Sequence, residues 1–348
     1  MNQIDAVKSG TSTFPEEMTF VSAKARAMFE CWTHAIQPVL DSHDVLNVEL
    51  EFQMPLLNPE TESASRTFVE AGKIDAVIRD RKSGLYKVLE HKTTSDSIES
   101  DSNYWPRLTM DTQPSKYVLY LKSQGLDCFS SLYDVVKKPG TRPSQIPLLD
   151  AEGNKVVRDA FGSRVTTKDG KKWRQTADTE LGYSVESREE TPVEFYSRNL
   201  EYIRSNMGST FAQREIARTD VDLLEYMNDA WAHSQTLLYF KKRKLWPRNP
   251  SACLQFGTCE FLELCASRAS VDGVTYAPRQ KHAELEVKEG DKEFLTNSRL
   301  STLRRCARLH FLRYEEPIER VGEKDEALLL GTMFHNAAEA YLKHFVKQ

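Results

Sequence analysis

The sequence predicts a mixed α/β fold, and three observations carry that prediction. Residues 18–41 space their apolar side chains as an amphipathic helix does. Three β-rich runs follow, 45–57, 72–80 and 85–94, the first alternating apolar and polar side chains. A second helix-forming stretch, 111–125, then leads into a strand-like run at 128–139. The resulting order is α, β, β, β, α, β.

Each element has local signals. The Pro/Glu/Ser-rich residues 58–66 read as a loop after the first strand. Arg81-Lys82-Ser83-Gly84 reads as a tight turn, which makes 72–80 and 85–94 adjacent antiparallel strands. The residues around Trp105-Pro106 read as a loop, and Gly125 stops the helix that follows it. Residues 139–190 are polar and poorly periodic, an irregular insertion with one hairpin near Asp169-Gly170 and of a length that often covers a site. Helical spacing returns at 193–207 and 220–244, ahead of a cysteine-bearing segment at 253–265. Residues 266–293 resemble a linker, and 295–318 and 326–345 read as two more helices, the first capped by Thr296, Asn297 or Ser298. No internal repeat is present.

Composition narrows the class. At 348 residues, with 40% hydrophobic and 28% charged residues, the chain can bury a large core under a charged surface. No apolar run approaches a membrane span, and the polar start MNQIDAVKSG lacks a signal-peptide stretch, so a cytoplasmic protein that does not enter membranes is expected. A formal net charge of -4 leaves any nucleic-acid contact to local clusters such as Lys241 to Lys244 and Arg299 to Arg313, which taken alone read as solvated faces. Six cysteines in a reducing compartment, three of them in CLQFGTCEFLELC, read more easily as metal ligands than as disulfides.

Chemistry concentrates on the third β run. A strand period of two puts Glu90 and Lys92 on one face and His91 on the other. Asp75, on the neighbouring strand, brings a second carboxylate to the same edge, and two hard oxygen ligands suit Mg²⁺ or Mn²⁺. Lys92 then faces an attacking water or a phosphate. Gln113 and Tyr117, four apart on the next helix, place an amide and a phenol on one face for hydrogen bonds to phosphate or base.

Asp75, Glu90-His91-Lys92 and Gln113-Pro-Ser-Lys-Tyr117 together resemble the ordered motifs of RecB-like nucleases in the PD-(D/E)xK superfamily. FAQREI, WPRNPSAC and LQFGTCEFLELC resemble phage and bacterial members. The resemblance implies a restriction-endonuclease-like αβββαβ core with added helices, a C-terminal cysteine-cluster region and a metal-dependent deoxyribonuclease activity. It further implies an exonuclease on single-stranded DNA or DNA with free ends, serving recombination, repair or phage replication. Protein partners stay unassigned.

Two of the family's opening motifs stand last here. SRLSTLRRC ends in Cys306, and Gly331-Thr-Met-Phe-His335 supplies the histidine that the family places beside the carboxylates at the metal. The order is that of a circular permutation: 1–265 as nuclease core with helical and cysteine regions, 266–293 as the joint between the family's usual ends, and 294–348 completing the same domain. A fragment of a tandem array is the alternative. Cys253, Cys259, Cys265 and Cys306 resemble the ligands of the family's iron-sulfur subgroup, implying a cluster, most simply 4Fe-4S, with zinc or free thiols as competitors. Cys31 and Cys128 read as ordinary half-buried thiols, Cys31 in reserve as a fourth ligand. The rival function is a DNA-binding iron-sulfur protein of this fold without hydrolysis.

Overall fold

The computed structural model describes residue 14 and residues 17–255, 257–283, 285, 290–322 and 325–347; the start MNQIDAVKSG and parts of the 266–293 stretch lie outside them. The frame is a mixed sheet of six strands. Helix α1 (Phe20–Ala35) starts at a capping box in which Thr19 and Ser22 satisfy each other's backbone N–H groups. The chain then runs through β1 (His43–Leu57), β2 (Ala64–Asp80) and β3 (Tyr86–Thr94), all antiparallel to their sequence neighbours. Helix α2 (Thr112–Ser123), capped by Asp111, carries the chain over to β4 (Cys128–Lys137), which lies parallel to β3. The expected α, β, β, β, α, β order stands.

Helices cover both faces of this sheet. On one side α1, α3 (Pro192–Ser205) and the last helix bury Trp32, Ile203 and Phe334 against Ala76, Ile78 and Leu89. On the other, α2 buries Tyr117, Val118 and Leu121 against Phe52, Ile74, Val77 and Val88. Alternation along β3 sends Leu89 to the first core and Val88 to the second, so neighbouring residues of this strand serve opposite layers.

Three local expectations change. Tyr104–Thr109 is a short helix rather than a loop, because Tyr104, Trp105 and Leu108 bury one apolar side and Pro106 falls in the first turn, where its missing N–H is tolerated. The unassigned stretch after α3 contains β5 (Phe211–Ala217), antiparallel to β4. Residues 295–318 do not form one helix. Strand β6 (Glu293–Leu295) pairs parallel with β2, and Thr296 caps α5 (Asn297–Arg305). Cys306 then turns extended, with φ -166° and ψ 122°. Asn249 accounts for the break, since its side-chain amide donates to the Arg305 carbonyl and its backbone N–H to Cys306 Sγ.

Between α3 and the tail, α4 (Asp220–Arg243) packs on α2 and α5. The 139–190 insertion is built from two short strand pairs, 145–147 with 187–189 and 157–158 with 184–185. The turn at Asp169-Gly170 is bracketed by the bridge Thr166 to Trp173. Within 266–293, Tyr276–Pro278 pairs with Ile318–Arg320, and Tyr276 is fully buried against Phe261. The chain closes on α6 (Glu326–Lys343), packed against α1 and β1. Among the described residues no helix is long and apolar enough to cross a membrane.

Candidate active site

The site opens where β2 and β3 part. Their ladder runs from Arg79 and Tyr86 to Ala76 and Leu89 and stops there. The next backbone N–H on β3, that of His91, donates to Asp75 Oδ2 at 2.8 Å instead of to a strand. That bond fixes Asp75 beside Glu90, as the strand pattern predicted.

Glu90 and Lys92 share a face of β3, and Lys92 Nζ donates to Glu90 Oε1 at 2.6 Å and to Gln113 Oε1 at 2.9 Å. The Gln113 amide donates to the Tyr117 hydroxyl at 2.7 Å, and that hydroxyl donates to the Lys73 carbonyl on β2 at 2.8 Å. Tyr117 is therefore buried under α2, with its hydroxyl spent inward. It braces Gln113 instead of facing a phosphate or base, because helix α2 turns this position into the core shared with Phe52.

Electrostatics mark the pair. Burial, and then the charge of Asp75, push the Glu90 carboxyl up to about 8 against the pull of Lys92. Burial alone depresses Lys92, but the charge and hydrogen bond of Glu90 outweigh it and hold the ammonium above the ordinary lysine value. Glu90 Oε2 is buried without a hydrogen-bond partner among the described residues.

His91 points to the other face. Its Nδ1 donates to Asp134 Oδ2 at 2.8 Å, and the same carboxylate accepts from Trp32 Nε1 at 2.6 Å and Gln213 Nε2 at 2.7 Å. The His91 ring meets His335 of α6 edge to face, centroids 6.2 Å apart. His335 lines one cavity of about 670 Å³ together with Asp75, Lys73 and Thr93, so the last helix and the second strand share a cleft. Gly331 permits this: a Cβ there would stand 3.1 Å from Thr93 Oγ1, and its absence lets α6 lie against β3. Burial lowers the His335 pKa, partly offset by Asp75, which favours the neutral imidazole.

Several residues of this cleft escaped the sequence reading. Glu49 and Glu339 line it too, and Glu49 pairs with Lys73. Glu49 adopts φ 56°, a left-handed conformation that β1 tolerates opposite Asp75 and that no spacing in the sequence reveals. Glu339 sits four residues after His335, one turn further on the same helix face, a signal that was available. Lys116, inside the Gln113 to Tyr117 motif, is fully buried and donates to the carbonyls of Ala71 on β2 and Leu295 on β6 at 3.0 and 2.6 Å. It ties the tail to the sheet.

The four clustered cysteines gather in one corner. Cys259, Cys265 and Cys306 border the small core of Phe261, Tyr276, Leu309 and Leu312. Asn249 links Cys306 to Cys253: its N–H reaches Cys306 Sγ at 3.4 Å, and Cys253 Sγ donates to its carbonyl at 3.8 Å. All four are free and partly exposed. Burial and the neighbouring Cys259 raise the Cys265 thiol, while Arg248 and Arg308 act the other way, as cations that favour thiolate do. Cys31 and Cys128 instead lie fully buried in the two cores flanking the sheet, and burial raises both to about 11. That placement removes Cys31 as a reserve ligand. The basic stretch 299–313 is also not a simple solvated face. Arg299 is fully buried, held by Glu293, Glu315 and the Phe294 carbonyl.

As the side chains stand, no group of three or more His, Cys, Asp or Glu among the described residues converges to hold a metal ion. The donor chemistry nevertheless fits one. The orphaned Glu90 Oε2 beside Asp75 is an electrostatic conflict that a divalent cation relieves, and a neutral His335 suits ligation. In the second corner four free thiols, Cys265 among them beside Arg248 and Arg308, have the donor chemistry of a soft metal or an iron-sulfur cluster.

Residues 295–348 match the model of a family described as the PD-(D/E)XK nuclease superfamily. The match begins on β6 and takes in α5, Cys306 and the whole of α6 with His335. The mixed sheet flanked by helices is consistent with that fold. Superfamily likeness points to a metal-dependent nuclease, for which Mg²⁺ or Mn²⁺ is the usual ion. No curated protein matches the chain.

Proposed function

We propose that this protein is a metal-dependent DNA nuclease of RecB-like type that works as an exonuclease, with its motifs in circularly permuted order. The observation that carries the reading is the cleft that His335 of the last helix and Asp75 of the second strand both line, beside the Lys92–Glu90–Gln113 chain. A truncated second copy has no reason to complete the first in this way. Lys116 bridging β2 and β6 supports the same closure.

Asp75, Glu90 and His335 would hold the divalent cation. When bound, such an ion polarises the scissile phosphate and lowers the pKa of a water. Lys92 orients that water or offsets charge on the phosphate oxygens, and Gln113, braced by Tyr117, keeps Lys92 in place. Water oxygen attacks phosphorus in line and gives up a proton, the bond to the leaving oxygen breaks, and that oxygen takes up a proton, leaving a phosphomonoester and a hydroxyl. Cys253, Cys259, Cys265 and Cys306 would hold a 4Fe-4S cluster that ties the tail to the segment at 253–265.

The test is digestion of end-labelled, end-blocked and circular DNA, single- and double-stranded, with Mg²⁺ or Mn²⁺. Release of labelled ends from open substrates alone is expected, and no hydrolysis of any substrate overturns the nuclease reading. Calorimetry with Mn²⁺ on His335→Ala should show weakened binding. Anaerobically purified protein should carry iron and sulfide, and stoichiometric zinc without iron would overturn the cluster.

A further inference from the structure

A second cavity, of about 300 Å³, adjoins the carboxylate cleft: Lys138 and Ala327 line both. The two openings also follow one strand end, since Thr93 at the tip of β3 lines the first and Ser95, two residues on, lines the second.

The walls of the second cavity combine two chemistries. Phe20 and Phe195, in edge-to-face contact at 5.5 Å, give it an aromatic flank, and Phe20 keeps part of its ring accessible. Cations supply the rest. Lys24 lies over the Phe195 ring and donates to the carbonyls of Pro139 and Thr141, at 3.2 and 2.6 Å, which aims its ammonium at this mouth. Its pKa is depressed, first by burial and then by the positive charges of Arg142 and Arg198, against the pull of Glu326. Lys138 donates to the Ala327 carbonyl at 2.9 Å and feels Asp325. Glu190 neutralises Arg198. Arg142 is exposed and has no carboxylate within ion-pair distance among the described residues. Glu326 and Asp325 thus answer two of the cations and leave the Arg142 guanidinium as uncompensated positive charge on a cavity whose other flank is aromatic.

We propose that this cavity seats the nucleotide next to the scissile phosphate of a single DNA strand, its phosphate on Arg142 and Lys138 and its unpaired base beside Phe20. The inference rests on the nuclease reading of the neighbouring cleft and adds to it the residues that would hold a single strand. A guanidinium pairs with a phosphate in bidentate fashion, and the accessible part of an aromatic ring accepts any base by stacking. A duplex keeps its bases stacked on each other, so the aromatic flank gains nothing from it.

The test reads binding separately from hydrolysis. Fluorescence anisotropy with Ca²⁺ in place of Mg²⁺ measures the affinity of the full chain for a labelled oligothymidylate and for a duplex of equal length. Arg142→Ala and Phe20→Ala are each expected to weaken single-strand binding about tenfold, with duplex binding changed less than about twofold. Arg142→Ala should also reduce the salt slope of single-strand binding by about 0.7, and Arg142→Lys should restore most of that slope. Unaltered thermal melting checks the fold of each variant. Single-strand affinity equal to wild type in both variants, or an equal loss on the duplex, overturns the subsite. A wild-type protein that binds single strands through these residues but digests no DNA with Mg²⁺ or Mn²⁺ overturns the nuclease reading instead.

Discussion

The carboxylate cleft and the cysteine corner are built on opposite plans. Asp75, Glu90 and Lys92 project from β2 and β3, neighbouring strands in the middle of the sheet, and each is held by a named bond: His91 N–H donates to Asp75, and Lys92 donates to Glu90 and Gln113. The cysteines stand on a 3-10 turn, a loop, a one-turn helix and a helix break, with partly exposed thiols and two long sulfur contacts to Asn249. The first site is organised by the protein before anything binds. The second has ligands without a scaffold of its own, so whatever joins the thiols becomes the scaffold.

The largest effect that can break this comparison is loss of chemistry without loss of fold. Asp75→Asn and Glu90→Gln should each cut DNA hydrolysis by at least about 10²-fold, while melting temperature stays near wild type, because each amide keeps the shape but cannot supply the anionic oxygen that would hold a divalent cation. A steady-state assay beside a thermal melt separates the two readouts, and wild-type digestion by either variant would sink the assignment. Next comes the reverse pattern. Cys306→Ser should lower the melting temperature by roughly 5 °C and release iron, yet leave residual hydrolysis in the folded fraction. Equal loss of activity and stability would mean that the two regions are one unit.

A smaller effect sharpens the bracing argument. Tyr117→Phe removes the hydroxyl between Gln113 and the Lys73 carbonyl, at a cost of about 1 kcal/mol in stability and a lower kcat with little change in KM. A rise in KM alone would return Tyr117 to direct substrate contact. The smallest expected effect lies outside both regions. Asp44 accepts from Lys347, Arg81 and Arg79, which together hold its carboxyl far below the usual carboxylate range and tie residue 347 to β1. A depressed folded pKa stabilises at every pH above the unfolded value of about 3.9 and is lost as pH falls through the folded one. Asp44→Asn should therefore melt slightly earlier at neutral pH and match wild type in strong acid.

Read alone, the sequence determined the order α, β, β, β, α, β, the turn at Arg81 to Gly84 and the sharing of a face by Glu90 and Lys92. Each follows from a local rule, a period of two or 3.6 and a Gly turn. It also singled out His335 and the four cysteines through their resemblance to a family pattern. Tertiary structure alone decided the rest. Glu49 lines the cleft from a left-handed backbone position on β1, Tyr117 turns inward because α2 packs on Phe52, and α5 ends at Cys306 where Asn249 donates to the Arg305 carbonyl and to Cys306 Sγ. These outcomes depend on partners distant in the chain, and spacing along one segment carries no trace of them.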